Sequence, residues 1–159
     1  MTKTFAPNTP RDAQGRLLFP PDQARRRELF LPESFDHPAR AQLHMIEALV
    51  EYLTEPGDLV VDPFGGSGTL LVAALTGRRV GLIELSDDYY DLCIHNAKHM
   101  ADQSPGMVKP YILHGPCQEL MPMFTLGELD EYYGVNAFIF SPPSAGARVE
   151  GGNLSRASR

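Results

Sequence analysis

The chain is poor in the features that mark several protein classes. It has two cysteines, Cys93 and Cys117, in neither a metal spacing nor a disulfide framework. Both read as reduced structural thiols of a cytoplasmic protein. Its five histidines are scattered without ligand spacing, so no metal site is expected. No run of eighteen apolar residues occurs, which leaves no candidate for a transmembrane helix. Met1 to Phe5 contain no apolar stretch of the secretory kind. Excess positive charge is also missing where nucleic acid would need it. Residues 28–144 carry five basic and seventeen acidic side chains, whereas residues 1–27 have a net charge of +4 and residues 145–159 a net of +2. The acidic body cannot hold a polyanion through bulk charge. That task would fall to the basic ends, where Arg25-Arg26-Arg27 is the densest cluster and is read as a solvated stretch.

At 159 residues the chain is long enough for one domain with a real core. Residues 1–35 are proline-rich with little periodicity and read as an irregular arm, anchored where Leu29-Phe30-Leu31 finds an apolar groove. Over residues 39–54, Leu43, Ile46, Leu49, Val50 and Leu53 recur at helical spacing. Strands are expected at 59–62, 79–85, 110–114 and 137–140. Helices are expected at 69–75, stopped by Gly77, and at 86–100, opened by Ser86 with Asp87 and Asp88 in its first turn. Residues 118–133 should form short helical pieces broken at Pro122 and Gly127. The alternation of strand and helix gives an α/β fold with a parallel sheet in the order 3-2-1-4.

The most informative stretch is Asp62-Pro63-Phe64-Gly65-Gly66-Ser67-Gly68-Thr69. It lies between an apolar strand and an apolar helix. Three glycines in four positions permit positive φ and close approach of a ligand to the backbone. The following helix would direct free N–H groups at whatever sits over the turn. A second motif, Ser141-Pro142-Pro143-Ser144, ends the fourth strand, where ligands bind in open α/β sheets. Together these strings resemble the S-adenosylmethionine-dependent amino-methyltransferases, which methylate N6 of adenine or N4 of cytosine in DNA. The resemblance covers roughly residues 35–147. It implies a Rossmann-like methyltransferase core over 36–147, flanked by the arm 1–35 and a flexible tail 148–159. S-adenosylmethionine is the implied cofactor and DNA the implied partner, as in restriction–modification systems, with RNA or another amine substrate as an alternative.

The resemblance also implies roles for single residues. Residues 62–69 would cradle the cofactor, Asp62 reaching its methionine end. Phe64 is read as either core or cofactor wall. Glu84, ending strand two, would accept the ribose hydroxyls, or else be a plain surface carboxylate. Leu85 would flank the adenine ring. His37 is either a contact to the methionine moiety or an ordinary surface or core residue. Ser141 and the Pro142 carbonyl would accept hydrogen bonds from the target amine, with Pro143 fixing the backbone. The Ser-Pro-Pro form resembles the N4-cytosine branch most.

This chain departs from the pattern in three places. Pro116 stands where an acid usually holds the adenine amine, leaving that role to backbone groups, Cys117 or Gln118. Ser144 stands where an aromatic would stack on the base. Three further strands are expected after the fourth, so the chain reads as truncated, as one half of a split enzyme completed by a second chain, or as a non-catalytic remnant.

Overall fold

A computed structural model describes residues 3–36, 40–125 and 134–141. Its centre is a four-stranded parallel sheet of β1 (Leu59–Asp62), β2 (Arg79–Glu84), β3 (Tyr111–His114) and β4 (Ala137–Phe138), in the order β3-β2-β1-β4. That is the expected order. All four residues of β1 are buried, as a central parallel strand covered on both faces requires. Register aligns Asp62 with Leu82, and Glu84 with His114.

Alternation along the strands divides the interior. Val60, Val80 and Leu82 join one cluster with Ile139 and with the helices on that face. These helices are α1 (Gln23–Leu29), α2 (Leu43–Leu53) and α3 (Asp87–Gln103), together with a 3-10 helix over Thr69–Thr76. Leu59, Val61 and Ile83 face the other way, against Phe124 of α4 (Cys117–Thr125).

Several expected elements differ in detail. Residues 69–76 wind as a 3-10 helix rather than an α-helix, bounded by left-handed Gly68 and Gly77. Thr69 to Ala74 are all buried, so the segment has no polar face whose period could reveal its winding. Pro122 does not break α4, which continues to Thr125. The bond its ring removes would be to the carbonyl of Gln118, an exposed residue where water can substitute. The expected break at Gly127 lies outside the described residues. The fourth strand is shorter than expected, although the Ile139 N–H still bonds the Val61 carbonyl.

The arm is more ordered than its composition suggests. Arg11 and Leu17 form an antiparallel bridge, α1 covers Gln23–Leu29, and a 3-10 turn covers Pro32–Asp36. Leu29 and Phe30 are buried in the main cluster, as the apolar-groove reading required. Arg26 overturns the solvated reading of its cluster. Only 3% of its surface is exposed. It pairs with Asp22 at 2.9 Å, donates to Thr69 Oγ1 at 3.3 Å and to the Ala41 carbonyl, and lies over the Phe30 ring. Asp22 also accepts the Leu43 N–H at 2.8 Å. Partial burial acts to raise the Asp22 pKa, but the Leu43 N–H and the Arg26 guanidinium outweigh it and hold the carboxyl below its usual range.

Gly81 lies against Phe124 so closely that a Cβ there would sit 2.6 Å from the ring. The ring is wholly buried. Gly81→Ala should therefore lose about 1–3 kcal/mol in urea denaturation, as overpacked cores do. Phe124→Leu in the same chain should recover part of the loss. An unchanged midpoint for Gly81→Ala would refute this packing.

Candidate active site

The site forms at the C-terminal rim of β1, β2 and β4, where the glycine turn crosses from sheet to helix. Gly66 and Gly68 have φ of 54° and 78°, values that a side chain would strain. Gly65 has no positive φ. It is needed for closeness, since its N–H bonds the Ile83 carbonyl at 2.8 Å and a Cβ would lie 3.4 Å from that oxygen. Pro63 is buried beneath the turn.

Glu84 is fixed by the backbone around it. Oε2 accepts the Gly66 N–H at 2.6 Å and Oε1 accepts the Ser86 N–H at 2.8 Å. Each carboxylate oxygen retains a further lone pair for a ligand hydroxyl. Leu85, next along, is 56% exposed, with its side chain free to flank a ring.

Asp62 is buried at the end of β1, where one oxygen accepts the Phe64 N–H at 2.9 Å. Burial, with the negative Glu84 adding to it, pushes its pKa up to about 7, and the Phe64 N–H offsets only part of this. Tyr89 is raised by burial and then by Glu84, Asp88 and Asp36. The rim is thus acidic, and a cationic ligand would be favoured there.

The turn is held from behind by side chains that the sequence reading did not place in the site. Cys93 Sγ, on α3, contacts the Gly66 carbonyl at 3.2 Å. Burial, and then Glu84 and Asp62, push that thiol well above its ordinary pKa, which leaves it an inert packing group. Asn96 donates to the Ser67 carbonyl at 3.0 Å, and Arg26 reaches Thr69. One signal for Asn96 was available. It interrupts the buried stripe Leu92, Cys93, Met100 of α3.

Phe64 is 36% exposed and is not a core residue. Its ring meets that of Phe140 at 5.6 Å, which brings the turn beside the end of β4. Ser141, the last described residue of that segment, is exposed at the same rim. Pro142, Pro143 and Ser144 lie outside the described residues, as does His37. At the end of β3, His114 stacks on Tyr90 at 4.7 Å and contacts Asp87 at 3.0 Å. Cys117 is half-buried at the start of α4, with Gln118 exposed beside it. The structure therefore brings residues 62–69, Glu84 and Leu85 together, with Ser141 following Phe140 in the segment after β4.

A family model for DNA methylases matches residues 10–95. The chain belongs to that DNA methylase family. It is 44% identical over 55 residues to a protein of Escherichia coli (strain K12) named as a methylase, YubD, a match covering 34% of this chain and 24% of that one. It is 46% identical over 54 residues to the type II methyltransferase M.PvuII of Proteus hauseri, covering 33% and 16%. The matched stretch is thus about a quarter or less of those curated relatives' lengths. A Pyrococcus horikoshii crystal structure named as a transferase, PH0793, superposes with a TM-score of 0.41 at 19% identity, over 52% of this chain and 31% of that one. Among the described residues no helix is long and apolar enough to cross a membrane, and no cluster of His, Cys, Asp and Glu could hold a metal ion.

The raised pKa of Asp62 has a consequence for stability. Between the unfolded value near 3.8 and the folded value of about 7, the native state binds the extra proton. Stability of the ligand-free protein should therefore fall as pH rises through that window and level off above it. Three pKa units correspond to roughly 4 kcal/mol at most. Asp62→Asn, which keeps the acceptor for Phe64 N–H, should flatten this slope in denaturation curves from pH 4.5 to 8. A slope identical in both proteins would refute the assignment.

Proposed function

We propose that this chain carries the cofactor and catalytic half of an S-adenosylmethionine-dependent amino-methyltransferase acting on an exocyclic base amine in DNA. The observation that carries the reading is the juxtaposition, in a chain of the DNA methylase family, of the glycine turn and its two acids with the segment that follows β4, where Phe140 meets Phe64 and Ser141 comes next. The rim suits this cofactor on chemical grounds. Asp62 is a buried carboxylate whose anion is disfavoured until a cation or proton joins it, and an α-ammonium and a sulfonium are both cationic. Glu84, locked by two backbone N–H groups, is aimed to accept from vicinal hydroxyls. Gly66 and Gly68 supply the positive φ that turns the backbone at the rim, and at Gly68 a Cβ would also meet Leu71 at 2.9 Å.

When bound, S-adenosylmethionine supplies an electrophilic methyl carbon. The chain's own residues do the rest. Residues 62–69 orient the methionine end, Glu84 holds the ribose, and Leu85 flanks the adenine. Ser141 and the Pro142 carbonyl accept hydrogen bonds from the target amine, which raises the nitrogen's nucleophilicity and fixes its line of approach. Pro143 stiffens the chain that presents that carbonyl. His37 precedes α2, where it would close over the methionine end, and Cys117 or Gln118 would replace the acid that Pro116 displaces. The base must leave the duplex to reach Ser141. The serine in Ser-Pro-Pro favours cytosine N4 as the acceptor.

Isothermal titration with S-adenosylhomocysteine should show binding by the wild-type chain. Glu84→Ala should weaken it by roughly ten- to a hundredfold, the worth of hydrogen bonds to a charged group. Labelled methyl transfer to duplex DNA by any form of the protein that turns over should drop about a hundredfold in Ser141→Ala. Equal affinity of wild type and Glu84→Ala, or turnover indifferent to Ser141, would sink the reading.

A further inference from the structure

The glycine turn is tied to residues 31–34 through the side chain of Asn96. Asn96 has no exposed surface and sits in the interior of α3. Its Oδ1 accepts the Leu31 N–H at 2.9 Å. Its Nδ2 donates to Ser34 Oγ at 2.8 Å and to the Ser67 carbonyl at 3.0 Å. The carboxamide can point only this way. Reversed, it would set an NH2 against the Leu31 N–H and an oxygen against the Ser67 carbonyl. Ser34 is itself buried, so its hydroxyl has no water to turn to. One turn earlier on α3, Cys93 holds the Gly66 carbonyl, so one helix face grips two successive carbonyls of the turn. The same segment is braced by Arg40, which donates to the Ser34 and Phe35 carbonyls. It runs on to Asp36, whose charge acts on Tyr89 beside Glu84.

We propose that Asn96 is a positioning residue that makes residues 31–36 and the glycine turn one mechanical unit, so that ligand captured by the turn is felt in the N-terminal segment and the segment in turn sets the ligand's affinity. The ligand class, an adenosyl sulfonium or its thioether product, rests on the function proposed above. An isolated core amide would stabilise the fold without coupling the two segments. Three bonds to two separate segments, two of them buried and the one to Leu31 partly so, couple the movement of each segment to the other.

Amide hydrogen exchange on the full chain separates these cases. In Asn96→Ala, amides of residues 31–34 and 66–68 should lose protection together while those of Val80–Ile83 keep theirs. Affinity for S-adenosylhomocysteine should fall at least tenfold. Met100→Ala, on the same buried face of α3, serves as the comparator. It should lower the melting temperature and leave affinity within twofold. Ser34→Ala, a milder change that leaves the Asn96–Leu31 bond in place, should leave the turn protected and reduce, without abolishing, the extra protection that ligand gives Leu31. Independent loss of protection in the two segments would overturn the proposal, as would Asn96→Ala binding no worse than Met100→Ala. If Asn96→Ala fails to fold, ligand that adds no protection at Leu31 of the wild-type chain overturns it, and ligand that does add it supports it. A wild-type chain that does not bind S-adenosylhomocysteine defeats the proposed function, whereas joint or separate exchange of the two segments still judges the coupling.

Discussion

The bond from the Gly66 N–H to Glu84 is the constraint around which the rest is arranged. β1 and β2 run parallel in a register that ends both at one rim, each with an acid near its end. The turn leaving β1 folds back over the end of β2, and the Glu84 carboxylate receives it. This fixes the direction in which the 3-10 helix leaves the sheet. It also places a second negative charge near Asp62, which burial has already made reluctant to ionise. The fold therefore maintains an electrostatic deficit at its functional rim, and buried carboxylates of this kind cluster at sites that bind or react.

The back of the turn is closed with polar rather than apolar groups. Arg26, Ser34, Asn96, Ser67 and Thr69 are all buried, and among the described residues no buried side-chain nitrogen or oxygen lacks a partner. Buried polar networks of this type specify one arrangement, because a half-satisfied alternative loses more than an apolar core would. Here the network is the seam between the N-terminal arm and the sheet. It explains why a proline-rich segment of low periodicity is ordered at all: its backbone and side-chain donors and acceptors complete the bonding of the turn.

How much of this the sequence disclosed depended on whether the information was local. Asp62 to Thr69 carry their own turn chemistry, and the strands between them are short apolar runs, so the parallel order and the turn were legible. The ordering of the arm was not. Arg26 differs from Arg25 and Arg27 only in facing inward, and a run of three arginines does not say which one a neighbouring Asp22 and a distant Thr69 will capture. Asn96 could be seen to interrupt the apolar stripe of α3, but its partners could not, since they are 29 to 65 residues away. The winding of residues 69–76 and the continuation of α4 through Pro122 were settled by burial and by exposure of a carbonyl, which propensity does not encode.

The fate of the arginines bears on how a polyanion could approach. Arg26 is committed to the interior, and Arg25 lies between Glu28 and Glu47. Lys3 is paired with Glu55, and Arg16 with Asp12. A phosphate seeking these cations meets a carboxylate at each, and exposed pairs of this type contribute little net attraction. The +4 of residues 1–27 therefore overstates the positive surface that the arm presents. Among the described residues of the arm, Arg11 and the exposed Arg27 are left without a carboxylate partner of this kind. On the function proposed above, capture of a base at the rim rests more on the geometry beside Ser141 than on attraction to the backbone of the duplex. Contacts of that kind carry selectivity, whereas phosphate contacts supply the salt-dependent part of affinity.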